Sequence, residues 1–454
     1  MTTPAFRKPE EVPGSYGWPV IGWLWGLLDF FILRGWRRFF TDRQRRHRSD
    51  VFKVNLFKPT IAVLDAAAVE TLFQEKGIAQ DHGFSWAVPN PDLVGRILPS
   101  IFMSAPDHDR YKALYIEMLR RRAGRLLATF SETADRFGTR WTQAGRFNFE
   151  TEIEDFAVSL LFKWYFDFVP DPARVRELYL GLFSHVFAWI TRHLPWSSYR
   201  RSLATFEDLL QQVKRSPLFQ ELLPYAHELG LSDDDQTAKQ VLFVTGMNSF
   251  LGVQNLLKSV VGELSARPAL SDALRHEMCD ATASVPITSF AQLSPGSTPV
   301  LDRTLREVLR LHPPVTLVFG RLQYDRLLET LDGRAFQVRR GELLMGVLPL
   351  AMLDGRIFPR PDDFDPERFQ RLSAGEHLIW PRGRHDGPAA TNDRTCPGKD
   401  VSVLLAKLVC AWLLPHYRWT LTRAPRWDAV RFTLNVAAPV GPMQTNDFRV
   451  RERE

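Results

Sequence analysis

A chain of 454 residues is longer than one hydrophobic core usually fills, so length alone suggests two or three domains. A hydrophobic content of 45% and a charged content of 24% exclude a disordered or fibrous chain. The formal net charge of +6 permits an acidic ligand or an anionic membrane surface without indicating either, and no basic stripe with interleaved aromatics points to nucleic acid.

The chain opens on MTTPAFRKPEEVPGSYGWPVIG, which has no basic start followed by an apolar core, so it does not read as a secretory leader. The stretch from Trp18 to Trp36 is apolar but is interrupted by Asp29, glycines and a proline. It makes a poor spanning helix and reads as a buried aromatic helix, with room for peripheral contact with a membrane. Val51 to Asp65 alternates and is rich in β-branched residues, the pattern of a hairpin. From about Asp107 to Arg310 nearly every segment has helical periodicity.

The longest helix is expected from Ser232, read as its N-cap with Asp235 completing a capping box, to a stop before Pro268. At 1.5 Å per residue it would run roughly 50 Å. Its middle carries Gly246, Asn248, Ser249 and Gly252, residues that weaken a helix by up to ~1 kcal/mol each. A second helix, PVLDRTLREVLRLHPP, sets Leu301, Leu305, Val308 and Leu309 on one side and Arg303, Glu307 and Arg310 on the other. The residues after Phe319 alternate and turn at Asp332-Gly333, so they read as strands that share one small sheet with the early hairpin. PDDFDPERF is a proline-punctuated loop, and DVSVLLAKLVCAWLL is a last amphipathic helix.

Three scattered cysteines exclude a disulfide framework and fit a reducing compartment. Cys279 and Cys410 sit within helical patterns and read as packing residues. Cys396 ends a loop rich in Pro, Gly and polar residues and leads through Pro397-Gly398 into the last helix. Free N–H groups and the helix dipole there favour thiolate over thiol. A nucleophile would need a histidine base, and His385 is tied to Cys396 by no motif. Zinc would need further Cys or His at close spacing. A lone thiolate axial to haem iron needs no second cysteine, and Gly398 lets a flat macrocycle come close to the backbone.

Cysteine before a small residue and Gly, an upstream E-x-x-R at Glu307 and Arg310, and PERF at Pro366–Phe369 together resemble the cytochrome P450 family. The resemblance implies a structural ion-pair network of Glu307, Arg310 and Arg368 beneath the haem. The loop departs from the common pattern: its aromatic, Trp380, stands sixteen residues before Cys396. That insertion is similar to the branch acting on fatty-acid hydroperoxides, which comprises allene oxide synthases, hydroperoxide lyases, divinyl ether synthases and epoxyalcohol synthases. VPGSYGWPVIG, REVLRLHPPVTLVFGRLQYD and RRGELLMGVLPLAMLDGRIFPRPDDFDPERF resemble segments of the same branch.

The resemblance implies a mainly α fold with small β-sheets, the cytochrome P450 fold. It makes 1–454 a single domain with a helix-rich core, β-rich parts near 50–70 and 315–350, and a haem-ligand loop at 380–400. The cofactor would be heme b with Cys396 as metal ligand. His108 and Lys112, four apart in DHDRYKAL, resemble a clamp on the haem propionates, and Arg394 is a further cation for them. Arg321 is a weaker candidate, and Thr316 would overhang the haem. A monooxygenase needs electrons and an acid–alcohol proton relay in the long helix. TGMNS instead offers Asn248, an amide that does not titrate near neutrality, followed by Ser249. A hydroperoxide already carries its activated O–O bond, so ferric haem suffices without O2 or a reductase, and Asn248 would be the catalytic residue that hydrogen-bonds the peroxide oxygens.

The leading expectation is therefore allene oxide formation or a related lyase or epoxyalcohol reaction. The alternatives are a reductase-dependent monooxygenase using Ser249, or a peroxide-using hydroxylase, although the latter would want an arginine that FVTGMNSFLGVQN lacks. The resemblance weakens at NPDLVGRILPSIF, where Leu93 or Val94 falls near a product-determining position, and at Leu251 and Gln254, where the branch has Gly and Lys. A fatty-acid hydroperoxide, no nucleic acid and no obligatory redox partner are expected, in the cytoplasm.

Overall fold

The computed structural model describes residues 9–18, 21–56, 58–73, 77–81, 98–182, 193–282, 289–294, 296–372, 389–421 and 448–452. Among them the strands are β1 (Glu10–Glu11), β2 (Val51–Asn55), β3 (Pro59–Val63), β4 (Ile78–Asp81), β5 (Arg146–Phe147), β6 (Leu317–Leu322), β7 (Arg326–Glu329), β8 (Ala335–Val338), β9 (Leu343–Val347), β10 (Tyr417–Leu421) and β11 (Phe448–Glu452). The longer helices are α1 (Ile21–Leu28), α2 (Gly35–His47), α3 (Asp107–Arg122), α4 (Leu126–Ala144), α5 (Phe149–Phe166), α6 (Pro172–Leu182), α7 (Ser198–Arg215), α8 (Pro217–Glu228), α9 (Asp234–Phe243), α10 (Phe250–Ser265), α11 (Pro268–Thr282), α12 (Pro299–Leu311) and α13 (Lys399–His416).

The β-branched runs pair as their alternation dictates. β2 and β3 form the expected antiparallel hairpin, Val51 opposite Val63. The hairpin continues into a five-stranded sheet of order β2-β3-β9-β6-β4. Only half of the later strands join it: β7 and β8 pair with each other and with β1 in a separate sheet, and β10, β11 and β5 make a third. The expectation of one shared sheet therefore holds for β6 and β9 and fails for β7 and β8, because the Asp332-Gly333 turn folds those two onto each other.

The helices begin where short polar side chains cap them: Asn148 accepts from Thr151 N, Ser197 from Arg200 N and Ser216 from Phe219 N. The long helix starts one residue later than its sequence suggests, because Asp233 caps it by accepting from Gln236 N. It is also not one α-helix. Residues Val244–Ser249 form a π-helical segment between α9 and α10, where the weak helix formers cluster. The cost of that break is offset by burial, since α10 is enclosed by α5, α12 and α13. Phe156, Phe162, Trp164, Leu256, Val260, Leu305 and Leu408 belong to one contiguous core.

The Trp18–Trp36 stretch is not the buried helix its composition suggests. It divides into α1, a π-helical segment Asp29–Leu33 and the start of α2, and Ile21, Trp25 and Ile32 are exposed at 70%, 57% and 73%. No helix among the described residues is long and apolar enough to cross a membrane. The net charge is not evenly spread either: residues 34–48 carry seven arginines against one aspartate, a basic stripe on α2 that composition averages away.

Candidate active site

The site rests on a buried ion-pair frame. Glu307 and Arg310 lie one turn apart on α12, and both are fully buried. Arg310 donates from Nε and one terminal nitrogen to the two Glu307 oxygens at 2.7 and 2.8 Å. Its remaining donors reach Met352 O (3.0 Å), Pro361 O (2.8 Å) and Asp363 O (3.1 Å). All five guanidinium N–H groups are thereby used. Arg368 Nε donates to Glu307 at 3.2 Å, and Asp365 N donates to the same oxygen at 2.8 Å. A buried charge pair is tolerable only with such full satisfaction. The result ties the loop 352–368 to α12, as the sequence pattern implies, and Arg303 turns outward to Glu367.

Cys396 is half-buried, three residues before α13. Its carbonyl accepts from Lys399 N, and Gly398 caps the helix with its carbonyl accepting from Ser402 N. Gly398 has an ordinary negative φ of −91°, and a Cβ built on it would meet only Cys396 Sγ, at 3.9 Å. Nothing among the described residues forces glycine here, and they leave the edge beside Sγ open. Most of the preceding insertion, with Trp380 and His385, lies outside the described residues, as do Leu93 and Val94.

Three of the expected propionate partners lie at or beside this loop. Lys112, on α3, is buried and donates to Asp393 O at 2.8 Å and to the Asp393 carboxylate. Burial lowers the Lys112 pKa against the pull of Asp393, and it lies within electrostatic reach of Cys396. His108, one turn before it on the same face, is buried, with Nδ1 2.9 Å from Asp109. Burial first, and the neighbouring Arg394 second, push its pKa down to about 4, so it is neutral at physiological pH. Arg394 is buried and donates to Met103 O at 3.1 Å. Arg321 stands apart on β6 and donates to Gly341 O.

Asp393 is a residue that motif reasoning passes over. It also accepts from Thr395 N (2.9 Å) and Ala390 N (3.1 Å), an Asx-type turn that shapes the approach to Cys396. Burial opposes its ionisation, but Lys112 and the N–H groups of Ala390 and Thr395 together outweigh that and hold its pKa below the ordinary value. Tyr165, near the end of α5, is another. It is buried, its pKa is raised by burial and then by the nearby Cys396, and its ring lies 4.4 Å from Trp164. An Asn-Asp pair three residues before the cysteine could have signalled the turn; nothing in the sequence signals Tyr165.

The remaining candidate residues lie in and around the π-helical segment. Asn248 and Ser249 are half-exposed within an otherwise buried helix, and Gly252, one turn on, leaves open space where a Cβ would be. Asn248 makes no side-chain hydrogen bond among the described residues. Thr245 Oγ1 and Thr316 Oγ1 are buried without partners. Gly246 is held to glycine because a Cβ would come within 2.9 Å of Phe162 Cζ, so α5 packs tightly behind the segment. A half-buried cysteine beside an open edge, buried cations and unpartnered polar atoms fit a bound haem. Cys410 is inert by contrast, buried with its thiol pushed up to about 12.

Residues 253–443 match the family model for cytochrome P450, a span that includes Glu307, Arg310, Arg368 and Cys396. The chain is 27% identical over 446 residues to "Allene oxide synthase, chloroplastic" of Arabidopsis thaliana, covering 90% of this chain and 85% of that one. It is 28% identical to a divinyl ether synthase of Selaginella moellendorffii, with 90% of each covered. The structure of a retinoic acid-bound cyanobacterial CYP120A1 superposes with a TM-score of 0.73 at 20% identity, over 98% of this chain and all of that one. The cytoplasmic expectation is corrected by these relatives: the Arabidopsis, tomato and rice allene oxide synthases are named chloroplastic. The chain has the cytochrome P450 fold, and its residues 253–443 match the cytochrome P450 family model.

Proposed function

We propose that this single-domain chain is a haem-thiolate enzyme that rearranges unsaturated fatty-acid hydroperoxides, with allene oxide formation as its first reaction and no reductase. The observation that carries the reading is Asn248. The π-helical segment carries a half-buried amide with no side-chain hydrogen bond among the described residues, at the point of the long helix where oxygen activation would require a titrating acid. The relatives named as allene oxide and divinyl ether synthases support the same chemistry.

Cys396 would hold the haem iron, its thiolate favoured by the N-terminus of α13. His108, Lys112 and Arg394 would meet the propionates, His108 as a neutral hydrogen-bonding group and the two cations by charge. The haem would be of b type, because the chain's three cysteines form no C-x-x-C-H attachment motif. When bound, it supplies one-electron cleavage of the O–O bond. Asn248 donates from its amide to a peroxide oxygen and orients the substrate, while the buried α10 wall excludes water. The exposed apolar face of α1 supports peripheral contact with a membrane, where such lipids reside.

The test is purified ferric protein mixed with linoleic acid hydroperoxide without reductant, followed by loss of conjugated-diene absorbance. Rapid loss is expected, slowed about 100-fold in Asn248→Ala with haem retained. Turnover only with reductase and NADPH would refute the reading.

A further inference from the structure

The face that α1 presents is the reverse of what a water-facing helix presents. Ile21, Leu24, Trp25 and Leu28 fall at i, i+3, i+4 and i+7, one stripe of the helix, and all four are exposed. Ile32 extends the stripe through the following π-helical segment. The side turned inward is a glycine. Gly26 is buried against β2, and a Cβ on it would lie 1.9 Å from Asn55 O. The helix therefore docks through its narrowest side and directs its widest side chains outward. Of the large apolar side chains exposed among the described residues, about half belong to this short stretch.

Beside the stripe lies α2, anchored to the core by Phe39 and Phe40 and bearing most of the seven arginines of residues 34–48. The two elements are pinned together. Asp29, buried between them, accepts from Arg43 at 2.9 Å and forms an ion pair with Arg34 Nε at 3.0 Å. Arg37 and Arg45 have carboxylate partners, while Arg38 and Arg46 are exposed and form no ion pair among the described residues.

We propose that α1 and α2 form a docking device for an anionic bilayer: the α1 stripe enters the acyl region and the α2 arginines, Arg38 and Arg46 foremost, hold acidic headgroups. The charge beside the apolar stripe is what commits the surface to this occupant. A purely apolar contact would need no arginines, and a protein partner read by charge alone would need no tryptophan or isoleucine at its centre. A helix that lies in the interface combines both features, and each basic residue near the surface adds about fivefold in partitioning. The proposal deepens the peripheral contact raised above by naming its lipid chemistry, and it is independent of the reaction catalysed.

The test uses the full-length haem-loaded protein in cosedimentation with vesicles of phosphatidylcholine, alone or mixed with phosphatidylglycerol, with tryptophan emission as a second readout. Partitioning is expected to be much stronger on the mixed vesicles, to weaken with salt, and to fall about 25-fold in Arg38→Gln/Arg46→Gln. Ile21→Ser/Leu24→Ser/Trp25→Ser should remove binding to both. Equal binding to the two vesicle types would overturn the arginine assignment while leaving a membrane contact standing. No binding to either would overturn both. Self-association in lipid-free buffer, abolished by the triple substitution and without vesicle binding, would give the face to a second copy of the chain and also overturn the proposal. Hydroperoxide consumption in detergent, measured on the same samples, reports separately on the catalytic reading.

Discussion

Replacing Arg310 by methionine tests whether the buried frame holds the cysteine side of the site in place. The substitution keeps much of the volume and removes the charge. It deletes two bonds to Glu307 at 2.7 and 2.8 Å and three to Met352 O, Pro361 O and Asp363 O. Glu307 is left with Arg368 at 3.2 Å and Asp365 N at 2.8 Å, so its charge is weakened in support but not abandoned. Asp363 O keeps Arg368, whereas Met352 O and Pro361 O lose this donor. Breaking a buried pair from one side costs about 3–5 kcal/mol, and uncapped carbonyls add about 1 kcal/mol each. A loss of about 5–7 kcal/mol is expected, a large part of a typical stability of about 5–15 kcal/mol. Urea unfolding followed by circular dichroism measures it. Glu307→Gln/Arg310→Met should cost less than the sum of its parts, because the second change removes the charge that the first leaves poorly compensated. A loss below about 1 kcal/mol, or strict additivity, would refute the account of the frame as one interdependent unit.

Cys396→Ala should abolish the thiolate-type haem spectrum, and an unchanged spectrum would remove Cys396 as the ligand. Gly26→Ala must push α1 away from Asn55 O, which its Cβ would approach to 1.9 Å, so a loss of about 1–3 kcal/mol in unfolding free energy is expected, with no change in haem binding. His108 in the haem-free protein stays neutral down to about pH 4, whereas an unfolded histidine binds its proton near 6.5. Its contribution is therefore whole above pH 6.5, declines as the pH falls through that window and is lost below pH 4, a change of about 3 kcal/mol that His108→Gln should flatten.

What the sequence made legible was whatever lies close along the chain or comes in a fixed order. Glu307 and Arg310 are three residues apart, and PERF follows at the spacing the fold needs, so the frame can be read before it is seen. The β2–β3 hairpin is legible because its alternation and its turn are local. Lys112 and Asp393 are 281 residues apart, and no periodicity links them. The sheet membership of β7 and β8 depends on where β1 lies, which local pattern cannot express. The orientation of α1 was illegible for a different reason. A helix apolar on every side has the same composition whether its wide face points inward or outward, and only the contact of Gly26 with Asn55 decides between them.

The break in the long helix connects these cases. Thr245, Gly246, Asn248 and Ser249 are poor choices for an α-helix of this length, and the sequence shows that without showing what they do. The structure resolves the conflict by widening the helix into a π-turn, with Phe162 close against Gly246 and Asn248 left half-buried. A wider turn displaces the ladder by one residue, so polar side chains that an ideal helix would direct into the core can instead face the site. The local rule is broken at the place where unpartnered hydrogen-bonding groups are needed, and the surrounding α5, α12 and α13 contacts supply the stability that the break removes. Restoring a strong helix former at position 248 should therefore straighten the segment and stabilise the protein while emptying the site of its donor. The opposed movement of unfolding free energy and hydroperoxide turnover in Asn248→Ala is the signature that separates a functional break from a merely tolerated one.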